Sequence, residues 1–377
     1  MASLLTCAVV SASTAGVAAA GGLVLFAGRK RRLDVWGASA AAAAACVVLG
    51  AALFVAVFVQ HRFFLGVNLV YCAWAIALPL LGVSVLVSAR MREVTRGARV
   101  LAWTSCAALP VALHATFIEP YRLETVHTEV VLPAERAPAR VLKVAVLSDL
   151  QCVEVTDHER DAVARALAAH PDLILLPGDF VQVGTHLIPA IWPDFHALVA
   201  QLDAPLGVFA VQGDCETPEE ARELFKDTRV RFLHDEIVTV EADGVRVKIC
   251  GIQRAFHRER GRALLAQFAA EPVEDGELRL VLAHRPDVVF AMDANTHADL
   301  VVAGHTHGGQ VQIPGYGPPI LLSEVPREVG AGGLHEVGGV RLYISRGIGW
   351  EHGHAPRVRF FCRPEVSVLT LPARPSR

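Results

Sequence analysis

Charge is scarce in this chain. Only 19% of its 377 residues are Asp, Glu, Lys or Arg, and the formal net charge is −3. No basic surface for nucleic acid is expected from such a balance. Low-complexity sequence is confined to the alanine run Ala40–Ala45, and no internal repeat is visible, which excludes repeat architectures. The eight cysteines do not read as a disulfide scaffold. Cys7, Cys46, Cys72 and Cys106 fall in apolar stretches, and Cys152, Cys215, Cys250 and Cys362 fall in the remainder. No positive segment precedes Leu4, so the first apolar stretch does not read as a signal peptide.

What is abundant is apolar sequence before residue 119. Mean hydropathy is +0.40, and nearly all the excess lies in four stretches, about residues 3–28, 35–59, 64–88 and 100–118. At about 1.5 Å per helical residue each is long enough to cross a hydrocarbon core roughly 30 Å thick. An all-α bundle of four transmembrane helices is therefore expected, with the alanine run favouring close packing and Pro79 and Pro110 kinking the third and fourth spans. Arg29, Lys30, Arg31 and Arg32 separate spans one and two; Arg90, Arg92, Arg96 and Arg99 separate three and four; Arg62 stands alone between two and three. Positive loops stay in the cytoplasm, which places both termini and the C-terminal part outside. The expected plan is an integral membrane protein with a four-span region over 1–118, a connector with an edge strand over 119–140, and an extracytoplasmic domain over 141–377. Span centres carry almost no ionisable group, His114 being the main exception, which argues against a transport pathway.

After Glu119-Pro120, strands and helices alternate. An edge strand is expected over about 124–132. Apolar strands are expected over 142–147, 173–176, 208–211, 245–252, 278–283 and 300–303, with 341–345 and 366–371 completing the tail. Thr156 with Glu159, and Thr217 with Pro218 and Glu220, are helix-start signatures, and 188–202 reads as a helix. This alternation argues for an α/β domain whose ligands sit beyond the carboxyl ends of strands.

Those strand ends carry the chemistry. Three offer Asp149, Asp179 and Asp214, a fourth offers His284, and a fifth runs into Gly304-His305-Thr306-His307-Gly308-Gly309-Gln310. A lone His-x-His is weak, and a lone aspartate is as often a turn residue or a helix cap. Three carboxylates converging on one pocket repel, and at neutral pH they need a cation or a raised pKa. With imidazoles added, the set Asp149, Gln151, Asp179, Asp214, His284, His305 and His307 suits a pair of divalent first-row metals.

The segments Ser148-Asp149-Leu150-Gln151, Gly178-Asp179, Gly213-Asp214-Cys215-Glu216, Ala283-His284-Arg285-Pro286-Asp287 and Gly304–Gln310, with Ser345–Gly349 and Arg357–Glu365 behind them, resemble the calcineurin-like metallophosphoesterases. The likeness is closest to their membrane-associated YkuE/YaeI-type branch and covers roughly residues 123–377. The four-span front end resembles transmembrane proteins with a metallophosphoesterase domain. The resemblance implies an α/β four-layer sandwich, two mixed sheets flanked by helices, with a dinuclear site. Asp149, Gln151 and His307 would hold one metal, Asp214, His284 and His305 the other, and Asp179 would bridge them. It also implies a membrane-tethered phosphohydrolase in which a metal-bound hydroxide attacks phosphorus, with Asp214, Cys215 and His284 in catalytic roles. The cofactors expected are two divalent ions among Mn, Fe, Zn and Mg. The partners expected are the lipid bilayer and a phosphoester substrate, with lipid-linked phosphoesters among the candidates.

Departures from the family pattern matter. Gln151 stands where the family has a histidine; its neutral, hard carbonyl oxygen either ligates, which favours Mn or Mg, or does not ligate. Gln182 replaces an aspartate. Asp214 replaces an asparagine and adds a charge. Cys215 replaces a histidine that steadies the transition state or protonates the leaving group, and a thiol is a poorer cation and donor. His352 or His354, in Trp350–His354, would supply the missing donor or remain solvated. Cys152 and Cys215 would pair, ligate, or only fill space. The alternative function is a degraded metallophosphoesterase fold kept as a binding or sensing module.

Overall fold

The computed structural model describes residues 63–90 and 94–374. The spans expected over about 3–28 and 35–59 lie outside the described residues. The described residues contain two candidate spans where the third and fourth are expected: Phe63–Val87 and Arg96–Tyr121 are long and apolar enough to cross a membrane, by length and composition alone. The first comprises α1 (Phe63–Cys72), a π-helical turn (Ala73–Ala77) and α2 (Leu78–Ser88); α3 spans Arg96–Phe117. The π turn sits just before Pro79, where a proline ring would clash with the carbonyl four residues back and offers it no N–H. Pro110 lies inside α3. The two rods pack closely: a Cβ on Gly82 would stand 2.5 Å from the Ala102 carbonyl oxygen, and the Tyr71 hydroxyl donates to the Ala112 carbonyl at 3.2 Å.

The chain divides into two compact units. One holds these helices together with Glu351–Arg357, and the other runs from Phe117 to Trp350 and resumes at Val358. The second unit contains twelve strands among the described residues, arranged as two six-stranded mixed sheets. The first orders β1 (Glu124–Glu129), β12 (Glu365–Leu371), β2 (Leu142–Val146), β3 (Leu173–Leu176), β4 (Val208–Ala210) and β5 (Val230–Phe232). β2, β3, β4 and β5 are mutually parallel. The second orders β10 (Gly333–Val337), β11 (Val340–Ile344), β9 (Leu300–Ala303), β8 (Glu277–Ala283), β7 (Val245–Ile252) and β6 (Glu236–Ala242), and is parallel through β11, β9, β8 and β7.

Burial on both faces explains the uninterrupted apolar strands. Val144, Val146, Leu173 and Leu175 of the first sheet share one core with Leu278, Leu280, Leu282 and Val302 of the second. The opposite faces pack under helices. α4 (Asp157–Ala168), α5 (Ile188–Val199) and α6 (Pro218–Phe225) cover the first sheet, and α7 (Glu259–Ala270) covers the second. Each fully buried leucine in these layers contributes about 1.5–3 kcal/mol. The capping boxes at Thr156 and Thr217 are both formed. Layering and parallel order together bring the carboxyl ends of β2, β3, β4, β8 and β9 to one edge.

Candidate metal centre

Each candidate ligand follows an apolar strand directly, so the core that fixes the strand also fixes the ligand. Asp149 follows β2, Asp179 follows β3 and Asp214 follows β4, three neighbours in one sheet. His284 and His305 follow the neighbours β8 and β9 in the other. The first loops are laced together: the Asp149 N–H donates to the Gly178 carbonyl at 3.1 Å and the Gln151 N–H to the Asp179 carbonyl at 2.9 Å. Gly178 and Gly213 let two loops touch, since a Cβ on Gly178 would stand 2.6 Å from the Gly213 nitrogen.

Five of the seven candidates hold left-handed backbone: Asp149 (φ 51°), Gln151 (44°), Asp179 (57°), His305 (71°) and His307 (49°). Such a residue, when not glycine, costs on the order of 1–3 kcal/mol and persists where its surroundings over-determine it, most often at functional sites. Other left-handed non-glycine residues, such as His170, Asp227 and Asp243, lie elsewhere, but five of the seven candidates share this conformation.

The side chains form two groups of three. Asp214, His284 and His305 offer ligand atoms within 4.8 Å of one another, and so do Asp149, Asp179 and His307. His305 Nδ1 lies 3.2 Å from Asp214 Oδ2, and His307 Nε2 lies 3.6 Å from Asp149 Oδ1. His284 Nε2 stands 3.5 Å from Asp179 Oδ2 and 3.9 Å from Asp214 Oδ2, so Asp179 reaches toward both groups.

Second partners choose the tautomers. His284 Nδ1 donates to the Pro177 carbonyl at 2.8 Å, which turns its Nε2 lone pair inward; that nitrogen is buried and has no hydrogen-bond partner. His305 Nε2 donates to the Leu322 carbonyl at 2.8 Å and Nδ1 faces Asp214; burial lowers this imidazole's pKa, but the hydrogen bond and charge of Asp214 outweigh that and raise it. A backbone carbonyl on the far nitrogen is the usual second partner of a metal-bound histidine. Burial drives His307 well below its ordinary pKa, and Arg359, His305 and His284 add to the effect, so it stays neutral and ligand-competent. Burial pushes Asp149 up to about 6, with the charge of His284 opposing and that of Asp179 adding. Burial works the same way on Asp214, but the His305 hydrogen bond, the His284 charge and Arg285 outweigh it and hold that carboxylate well below the usual range. A buried imidazole lone pair without a donor, facing carboxylates that repel one another, fits divalent cations.

Gln151 Nε2 donates to Asp179 Oδ2 at 3.2 Å and points at Cys215 Sγ at 3.8 Å, so the glutamine and the cysteine both border the cluster. Cys152 and Cys215 are not bonded to each other. Burial raises the Cys152 thiol well above its ordinary pKa, which removes it as a thiolate. The Gln182 N–H donates to the Cys152 carbonyl at 3.0 Å. His352 and His354 belong to the segment grouped with the helical unit.

Sequence reasoning missed three contributors. Arg285 clamps Asp214 Oδ2 through Nε at 3.0 Å and Nη2 at 2.7 Å, and Arg254 stands 3.5 Å from Oδ1. Glu216 accepts the N–H groups of Gly213, Asp179 and Phe180 at 2.7, 3.1 and 3.2 Å, and so fixes two ligand loops from behind. The quoted segments contained Arg285 and Glu216, but only their spatial partners reveal their work.

The calcineurin-like phosphoesterase family matches residues 142–309, the stretch from the start of β2 to just past His307. Phosphodiesterase YaeI of Escherichia coli (strain K12) is 32% identical over 218 residues, which is 56% of this chain and 74% of that one. The chain belongs to the calcineurin-like phosphoesterase family. As a member it is a phosphoric ester hydrolase of a dimetal-dependent family. The metallophosphoesterase YkuE of Bacillus subtilis (strain 168) is 24% identical over 279 residues, covering 68% of this chain and 88% of its own length. A Bos taurus transmembrane protein with metallophosphoesterase domain is 25% identical over 268 residues, 66% of this chain and 57% of that protein.

Proposed function

We propose that this protein is a membrane-tethered, metal-dependent phosphohydrolase acting on phosphodiesters or diphosphates, lipid-linked ones among them. The observation that carries the reading is the pair of three-residue ligand groups at one sheet edge. In this assignment Asp149, Gln151 and His307 hold one divalent ion, Asp214, His284 and His305 hold the other, and Asp179 is shared. When bound, two such ions supply Lewis acidity toward phosphoryl oxygens and activation of water. Hard carboxylate oxygen donors favour manganese, and Gln151 would add its carbonyl by turning its amide over from the orientation in which Nε2 donates to Asp179. The chain's own part is positional. Pro177 and Leu322 fix the imidazole lone pairs, Glu216 fixes the loops, and Arg285 and Arg254 keep Asp214 ionised. Cys215 takes the place nearest Gln151 where a proton donor would stand.

Residues 1–118 serve as a four-span anchor and 141–377 as an extracytoplasmic hydrolase. The candidate spans and the likeness to a transmembrane relative support the tether, and the basic loops support the orientation. A tether raises the effective concentration of a site toward bilayer-held substrates. The test is hydrolysis of bis(p-nitrophenyl) phosphate by the full chain in detergent, chelated and then given manganese. Manganese-dependent turnover that Asp179→Ala abolishes is expected. Folded protein with no turnover on any divalent metal would leave a binding module, a reading that Gln151 and Cys215 favour. A reporter active only in the cytoplasm, fused after Arg377, is expected to stay silent.

A further inference from the structure

Beside the ligand cluster lies a cavity of about 740 Å³, within the roughly 300–1,000 Å³ typical of small-molecule sites. It shares residues with the cluster. Arg285 lines it while holding Asp214 at 2.7 Å. Leu322 lines it while its carbonyl accepts from His305 at 2.8 Å. Two candidate ligands are thus one contact away from the cavity wall.

Phe256, Phe290 and Leu322 give the lining large apolar side chains, of which Phe290 and Leu322 are left 52% and 51% exposed. Large apolar side chains left exposed beside a polar cluster mark a place for an apolar ligand. Arg262 joins the lining from α7, with no carboxylate partner among the described residues. Asp287 and Glu324 also line it, and the Asp287 carboxylate accepts from the Glu324 N–H. Arg285 retains N–H donors beyond the two that Asp214 uses.

We infer that this cavity is a leaving-group subsite for an organic phosphate bearing an apolar chain. The chain lies against Phe256, Phe290 and Leu322, and the phosphate is held by Arg262 and Arg285. The inference rests on the phosphohydrolase reading above and narrows it to a diphosphate ester of an apolar alcohol. In that reaction the oxygen of water bonds to the terminal phosphorus, and the bond from that phosphorus to the bridging oxygen breaks. The electron pair stays with the bridging oxygen. Inorganic phosphate and the apolar monophosphate are the products, and the proton released goes to the leaving oxygen or to solvent.

The test is calorimetric binding to the full chain in detergent, with the methylene-bridged analogue of geranyl diphosphate, whose P–C–P link resists cleavage. Arg262→Ala is expected to raise Kd about tenfold or more, the loss of a charge-assisted contact. Arg165→Ala, on the exposed face of α4 where Arg165 pairs with Asp161, is the control expected to leave Kd unchanged. A second arm uses a long-chain polyprenyl form of the analogue in phosphatidylcholine vesicles. Arg262-dependent binding in the first arm supports a soluble ligand, and in the vesicle arm a bilayer-held one. No dependence in either arm, or equal affinity for methylenediphosphonate without a chain, overturns the subsite. Because nothing is cleaved, absence of phosphodiester turnover would sink the catalytic reading without touching this measurement.

Discussion

Glu216 carries the most demanding structural prediction. It is 3% exposed. Oε1 accepts the N–H groups of Gly213 at 2.7 Å and Asp179 at 3.1 Å, and Oε2 accepts that of Phe180 at 3.2 Å. Glu216→Ala strands all three donors, and each buried unsatisfied N–H costs about 1–3 kcal/mol. With partial relaxation the loss is about 3–6 kcal/mol, which for a domain of this size lowers Tm by roughly 6–24 °C. Glu216→Gln keeps one carbonyl-type acceptor for two of the donors and costs about 1–3 kcal/mol. The order wild type, Gln, Ala is therefore expected in thermal unfolding of metal-stripped full chain, followed by tryptophan fluorescence. Manganese stoichiometry should fall in the same order, because the Asp179 backbone at φ 57° loses the contact that holds it there. An Ala variant that melts within 2 °C of wild type, or a Gln variant less stable than Ala, would refute the reasoning.

Three further outcomes are expected. Burial pushes Asp149 up to about 6, so its stability contribution to the metal-free fold is present below its ordinary pKa and is lost as pH rises through 6. Metal needs the ionised carboxylate, so manganese retention measured by atomic emission should drop as pH falls through about 6; unchanged retention from pH 7.5 to 5 would contradict this. Cys215→His should raise kcat about a hundredfold, the low end of general acid–base contributions, with the gain confined to pH values where the imidazole carries a proton. Arg285→Met should weaken manganese-dependent turnover more in the Asp214 background than in Asp214→Asn, and a double-mutant cycle with no coupling would dismiss the charge pairing.

The parts of the fold that sequence exposes are those where one physical demand dominates. β2, β3, β8 and β9 are buried on both faces apart from Lys143, so they read as apolar runs, and Thr156 and Thr217 announce helices by chemistry local to four residues. β5 has three residues, and β6 is an edge strand with only Val238 buried, so neither shows a clear period. α7 begins after Arg258 without a side-chain cap and carries no start signal. β10 lies at a sheet edge between glycine-containing turns. The site divides the same way. Asp149, Asp179, Asp214, His284 and His305 stand out because an acid or imidazole directly ends an apolar strand. The Arg285–Asp214 clamp joins residues 71 apart and the Arg254–Asp214 pair residues 40 apart, and no local pattern marks such partners.

Charge distinguishes the two halves of this site. An asparagine at position 214 would be neutral, whereas Asp214 adds a negative charge to a cluster that already holds Asp149 and Asp179. Arg285 at 2.7 Å and Arg254 at 3.5 Å offset it, and they lie on the side where the cluster is open, since Asp214 is partly exposed and Asp149 is not. The consequence is an uneven pair of sites. Around Asp149, Asp179 and His307 the carboxylates accept from Ser148, Gln151 and backbone N–H groups; Arg359 acts on Asp149 through its charge, but no guanidinium pairs directly with either carboxylate among the described residues, so a cation there relieves their mutual repulsion. Around Asp214, His284 and His305 a guanidinium already occupies one carboxylate oxygen, and a cation must share it. On the proposed assignment the deeper position therefore fills first and empties last. On the same assignment the outer position, next to Arg285 and the cavity, would exchange its ion more readily and would lie on the side of the proposed subsite.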